Sequence, residues 1–145
     1  MDTQEEKIII LYVEDEEGIR EGLSKTIRYF CDELIGACDG LEGLKLYKEH
    51  NPDIIVTDIK MPNMNGIDMA KEILKISPDI PIVFTTVHNE TSVRYEVLEL
   101  QVDGYLLQPV LIKSLIDKIN KFSKNISMEK INKMQYVKIQ EQKDI

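Results

Sequence analysis

Short β-branched runs alternate along the chain with stretches of helical spacing, and that alternation sets the fold class before composition is weighed. Strand-like runs fall at residues 8–13, 34–37, 54–57, 82–86 and 105–107. Between them Ile19, Leu23, Ile27 and Phe30 recur at helical intervals, as do Ile67, Ala70 and Leu74, then Val93, Val97 and Leu100, and finally Leu111, Leu115, Ile119 and Phe122. Asp39 followed by Glu42 reads as a capping box ahead of Leu44 and Tyr47, Ser77-Pro78 ends a helix, and Thr91 or Asn89 can cap the next. Ile54, Ile55 and Val56 are apolar on successive residues, the pattern of a strand covered on both faces. Strands alternating with helices through right-handed crossovers predict an α/β fold: a flavodoxin-like, doubly wound five-stranded parallel sheet of order 2-1-3-4-5 with five helices.

At 145 residues the chain is one domain with a short appendage, long enough to bury roughly two-thirds of the surface of its unfolded form. Its 18 basic and 26 acidic residues leave a net charge of -8, which argues against a nucleic-acid surface on this segment. Residues 1–6 are acidic, lack the pattern of a signal peptide and are expected to be disordered. The apolar run 8–13 is too short to span a bilayer, so no membrane association and a cytoplasmic location are expected. Cys31 and Cys38 have neither metal-site nor redox-motif spacing and read as reduced, packed thiols. The domain is expected over residues 7–122, with 123–145 a charged helical linker or tail leading to an output domain outside this sequence. Asn125-Ile126-Ser127 is a candidate interruption of that helix, and Glu129 and Lys133 spoil the register of Leu115, Ile119, Phe122 and Ile126, so no coiled coil is predicted.

In a parallel sheet the C-terminal strand ends share one edge, and the residues just past each strand meet there. Those positions are Glu14 and Asp15, then Asp58, Thr86, and Gln108 before Pro109. Met61-Pro62-Asn63 and Asn65-Gly66 are turn signals that make a loop after Asp58. Any one of the acids alone reads most plainly as a solvated loop carboxylate. Three converging carboxylates repel one another unless a cation sits among them, and their hard oxygens select Mg²⁺, or Mn²⁺, over softer metals.

Residues 9–16, 53–66 and 81–86, with Asp58, Met61, Pro62, Met64 and Gly66 forming an Asp-x-x-Met-Pro-x-Met-x-Gly signature, resemble the receiver domain of bacterial two-component response regulators. The resemblance covers residues 7 to about 122. It implies that Asp58 accepts a phosphoryl group from a sensor histidine kinase or a phosphotransfer protein. It further implies that Glu14, Asp15, Asp58 and the Lys60 backbone carbonyl hold Mg²⁺, that Thr86 donates its hydroxyl to the phosphoryl group, and that Tyr105 is the switching aromatic. A homodimer through the fourth helix, fifth strand and fifth helix is a further implied option. Such a domain is a signalling module and no enzyme beyond slow self-dephosphorylation, consistent with Ile59 and Lys60 standing where a hydrolase would need a second acid. Flavin binding suits the fold but not a site ringed with acids.

One departure stands out: the family has a lysine where this chain has Gln108. An ion pair at about 4 Å is worth roughly 4 kcal/mol at an effective dielectric constant near 20, before solvent discounts it. Its loss is large enough to slow phosphorylation or uncouple it from switching. Val87, where the family has alanine or glycine, narrows access, while Lys60 and His88 match positions that tune hydrolysis and Lys60 is placed to replace part of the missing charge. An alternative therefore stands beside the phosphoacceptor reading: a degenerate receiver used as a phosphorylation-independent dimerisation or docking module.

Overall fold

The computed structural model describes residues 7–87, 91–108 and 112–143. Among them lie strands β1 (Ile9–Val13), β2 (Glu33–Ala37), β3 (Ile54–Thr57), β4 (Ile82–Thr86) and β5 (Gly104–Leu107). The helices are α1 (Glu17–Ile27), α2 (Gly40–His50), α3 (Gly66–Ile76), α4 (Thr91–Leu100) and α5 (Ile112–Lys143). All strand pairs are parallel and the order is β2-β1-β3-β4-β5, as the alternation predicts. The segments 1–6, 88–90, 109–111 and 144–145 lie outside the described residues, and with them the expected disordered N-terminus, His88, Asn89, Pro109, Leu111 and the end of the expected tail.

Side-chain alternation along β3 divides the core. Ile55 joins Leu11, Val13 and Phe84 beneath Tyr47, Ile67, Ile73, Val93 and Val97 of α2, α3 and α4. Ile54 and Val56 join Ile10, Tyr12 and Val83 beneath Ile27, Leu115, Ile119 and Phe122 of α1 and α5. Both faces of β3 are therefore dry, which is why its sequence is apolar at successive positions.

Helix ends follow local chemistry. Asp39 Oδ1 accepts from Glu42 N at 2.8 Å, while Glu42 Oε1 accepts from Cys38 N at 3.2 Å, so the reciprocal bond of the expected capping box falls one residue ahead of the cap. Asn51 closes α2 in the left-handed region, φ 50°, and Asn65 caps α3 by accepting from Asp68 N. The first helix departs from expectation: Ile19 is 38% exposed, and Phe30 lies in a 3₁₀ turn (Arg28–Phe30) beyond α1. The thiols depart too, since Cys31 is half-buried but Cys38 is exposed, with its Sγ 3.5 Å from Glu42 Oε2. Burial pushes the Cys31 thiol up to about 11, and the bond to Glu42 raises that of Cys38.

The fifth helix does not break at Asn125-Ile126-Ser127 but runs on to Lys143. Ile126 packs against the same core cluster as Phe122, and Lys130 Nζ donates to the Lys7 carbonyl at 2.8 Å and pairs with Asp53 Oδ1 at 3.2 Å. These tertiary contacts outweigh a propensity deficit of about 0.5 kcal/mol for each of Asn125 and Ser127.

Two glycines permit close approach of backbone. A Cβ on Gly66 would stand 2.0 Å from the Asp58 carbonyl oxygen, and one on Gly40 would stand 2.2 Å from that of Met64. Gly66→Ala must push the loop after β3 away from α3. The expected outcome is a loss of about 2 kcal/mol or more, a fall in Tm of roughly 4–8 °C by thermal melting; an unchanged Tm would show that the loop yields freely.

Candidate functional site

The site is built by continuing the β-ladder one residue past each strand. Glu14 N donates to Ala37 O at 3.0 Å, Asp58 N to Val13 O at 3.0 Å, and Gln108 N to Thr86 O at 2.7 Å. The backbones of Glu14, Asp58 and Gln108 are thus held by the sheet, although their side chains already stand beyond it. Behind Asp58 its Oδ1 accepts from Ile59 N at 2.7 Å, Thr57 Oγ1 donates to its carbonyl, and Gly66 N donates to Ile59 O.

The three predicted carboxylates converge: Glu14, Asp15 and Asp58 each offer an oxygen within 4.8 Å of the others. Glu14 is buried, Asp58 half-buried and Asp15 exposed, so the cluster opens to solvent on one side. Burial, then the neighbouring Asp58 charge, pushes the Glu14 carboxyl from its ordinary 4.5 up to about 7, against the opposing hydrogen bond from Glu16 N. A set of three hard oxygen donors, one of them unwilling to ionise alone, fits a small divalent cation such as Mg²⁺.

Gln108 reaches this cluster, its Nε2 donating to Glu14 Oε1 at 3.4 Å, near the long limit for such a bond. Thr86 is fully buried at the end of β4. Tyr105, the register partner of Phe84, is half-buried against the cluster formed with α2, α3 and α4. Lys60 is exposed on the loop after Asp58, and Val87 is 63% exposed.

Two contacts were not foreseen from the sequence. Arg20 Nη1 donates to the Glu14 carbonyl at 2.6 Å, bracing the turn that carries Glu14 and Asp15; an arginine one turn into the following helix was the available signal. Asn63 Nδ2 donates to Asp39 Oδ2 at 2.7 Å, tying the loop after β3 to the N-terminus of α2. Turn chemistry made Asn63 legible, but its partner 24 residues away was not.

This fold, with an acidic cluster at the C-terminal edge of its sheet, defines a receiver-type signalling domain. Residues 10–120 match the family model described as response regulator receiver domain, and the chain belongs to that family. Chemotaxis protein CheY of Thermotoga maritima is 34% identical over 79% of this chain and 97% of its own length. Sensory transduction protein LytT of Oceanobacillus iheyensis is 36% identical over 88% of this chain and 52% of its own length. The probable transcriptional regulator ycf27 of Porphyridium aerugineum is 33% identical over 84% and 52% respectively, so the chain spans about half the length of these two relatives. Among solved structures, the N-terminal domain of an uncharacterized protein from Wolinella succinogenes superposes with TM-score 0.79 at 32% identity, covering 85% of this chain and 98% of that one. A response regulator receiver domain from Clostridium thermocellum gives TM-score 0.76 at 27% identity, covering 83% and 98%. Among the described residues no helix is long and apolar enough to cross a membrane.

The raised Glu14 carboxyl predicts a pH dependence. Folded Glu14 keeps its proton to about pH 7 while the unfolded chain loses it near 4.5, so its contribution to stability falls as pH rises through that window and the loss is complete above it. In metal-free buffer, Glu14→Gln is expected to match the parent in urea midpoint near pH 4 and to exceed it at pH 8. Parallel midpoints across that range would show that Glu14 ionises without strain.

Proposed function

We propose that this chain is the phosphoacceptor domain of a cytoplasmic two-component system, with Asp58 taking a phosphoryl group from a phosphohistidine of a sensor histidine kinase or phosphotransfer protein. The observation that carries this reading is the convergence of Glu14, Asp15 and Asp58 within 4.8 Å at the open edge of the sheet. A carboxylate oxygen of Asp58 attacks phosphorus, the N–P bond breaks, and its electron pair returns to the imidazole nitrogen of the donor. Glu14, Asp15, Asp58 and the Lys60 carbonyl would hold Mg²⁺, which when bound offsets the carboxylate charge and polarises a phosphoryl oxygen. The Ile59 N–H donates to Asp58 Oδ1 and orients the carboxylate, which supports its role in attack. Thr86 and Gln108 are the donors assigned to the phosphoryl oxygens, Gln108 by amide hydrogen bond and without the charge of a lysine. Tyr105, on β5 beside Phe84 of β4, packs against the core cluster that includes Val93 and Val97 of α4 and is assigned the switch. The output surface is the α4–β5–α5 face, where Tyr95, Leu98, Leu107 and Ile112 are exposed apolar residues suited to a homodimer or another partner.

A second reading rests on Gln108, whose amide engages Glu14 at 3.4 Å. In it the domain docks or dimerises without phosphate, because no lysine attracts and holds the incoming group.

Two measurements test these readings. Intact mass after incubation with Mg²⁺ and acetyl phosphate is expected to show one added phosphoryl group in the parent and none in Asp58→Asn. No gain in the parent, with gain in Gln108→Lys, would select the docking module instead. Because the acids repel one another, Mg²⁺ is also expected to raise the Tm of the parent, by more than it raises that of Gln108→Lys; equal melts with and without the ion would remove the metal from the proposal.

A further inference from the structure

The loop from Asp58 to Gly66 carries the phosphoacceptor and the Lys60 carbonyl, and its shape is held from outside the site. Its near arm closes on itself through Gly66 N to Ile59 O at 2.7 Å. Its far arm turns at Asn63, whose φ of 69° lies in the left-handed region, costly for most side chains and least so for asparagine and aspartate among those with a Cβ. There Asn63 Nδ2 donates to Asp39 Oδ2 at 2.7 Å, and the next backbone residue in α2, Gly40, donates its N–H to Met64 O at 3.0 Å. Gly40 has no room for a Cβ against that carbonyl, so the first turn of α2 abuts the loop directly.

Asp39 divides its two oxygens between these tasks. Oδ1 caps α2 by accepting from Glu42 N, and Oδ2 takes the Asn63 amide. The bonds from Glu42 N and then Asn63 hold its carboxyl below the usual range, so it remains ionised and acceptor-only on both oxygens.

We infer that Asp39 is a positioning residue for the phosphoacceptor loop: through Asn63 it fixes the left-handed turn that presents the Asp58 carboxylate and the Lys60 carbonyl together. The inference rests on the functional reading above and adds to it a helix that supplies no ligand of its own. With the clamp released, the loop samples shapes in which the donors do not coincide, and apparent Mg²⁺ affinity drops by the fraction of molecules correctly arranged.

The test is a double-mutant cycle on the full chain. Asn63→Gly removes the side-chain bond yet tolerates the positive φ, and Asp39→Ser keeps an N-cap acceptor for Glu42 N but is too short to serve Asn63. Calorimetric titration with Mg²⁺, at a temperature where urea melts show every variant folded, is expected to give a Kd raised roughly three- to tenfold by Asn63→Gly. The same substitution in the Asp39→Ser background is expected to change Kd little, because its partner is already gone. In metal-free protein, amide exchange at Gly40 is expected to quicken several-fold in Asn63→Gly. A residue that only stabilised α2 would lower the urea midpoint and leave the Mg²⁺ Kd of the folded protein alone. An unchanged Kd, an equal Kd change in both backgrounds, or unchanged Gly40 exchange overturns the inference. A parent that binds Mg²⁺ and is labelled by acetyl phosphate while its variants match it overturns this inference alone; a parent that does neither overturns the functional reading, and this one with it.

Discussion

Gathering three carboxylate oxygens within 4.8 Å costs electrostatic free energy that a flexible chain would relieve by moving them apart. The parallel ladder prevents this. Glu14 N, Asp58 N and Gln108 N each donate to the neighbouring strand just past the last strand residue, so the backbone cannot retreat without breaking sheet hydrogen bonds. Behind that edge, β3 lies in a dry interior on both faces, where Ile54, Ile55 and Val56 are wholly buried. Slippage of β3 by one residue would exchange the partners of both helical layers, so hydrophobic burial fixes the register that places Asp58. The acidic edge is thus strained in charge and firm in backbone, and the first property depends on the second.

Much of this was legible from period and position. The runs 54–57 and 82–86 correspond to β3 and β4 residue for residue, since a strand buried on both faces leaves an unbroken apolar signal. The convergence of Glu14, Asp15 and Asp58 followed from topology alone, because strand ends of a parallel sheet share an edge. What was not legible depends on contacts between distant segments. Nothing local in Asn125-Ile126-Ser127 announces a continuous helix; Lys130 holding Asp53 and the Lys7 carbonyl does. Ile19 has helical spacing with Leu23, yet the most buried positions of α1 are Ser24 and Ile27, and Ile19 stays partly in solvent. The capping box at Asp39 was read as local chemistry, whereas half of that carboxylate serves a residue across the fold.

The site and the loop behind it also show how one residue type changes meaning with context. Asn51, Asn63 and Asn65 are all turn residues by composition. Asn51 closes a helix in the left-handed region, Asn65 opens one by accepting a backbone hydrogen, and Asn63 adopts the left-handed region while donating to Asp39. The last faces two demands at once, from its backbone and from its side chain. That is a combination asparagine meets and glycine or alanine does not.

The fifth helix is a stiff rod of about 48 Å, tied near its middle to the edge of the sheet opposite Asp58. Roughly 20 Å of backbone extends past Lys130. Simple leverage then applies: a tilt of about 5° pivoting at Lys130 carries the Lys143 end about 2 Å sideways, over a rise of 1.5 Å per residue. The arm from Lys130 back to Leu115 is about as long, roughly 22 Å, so a shift of about 2 Å in how Leu115 seats on the sheet is carried to the far tip at nearly equal size, with Lys130 acting as fulcrum.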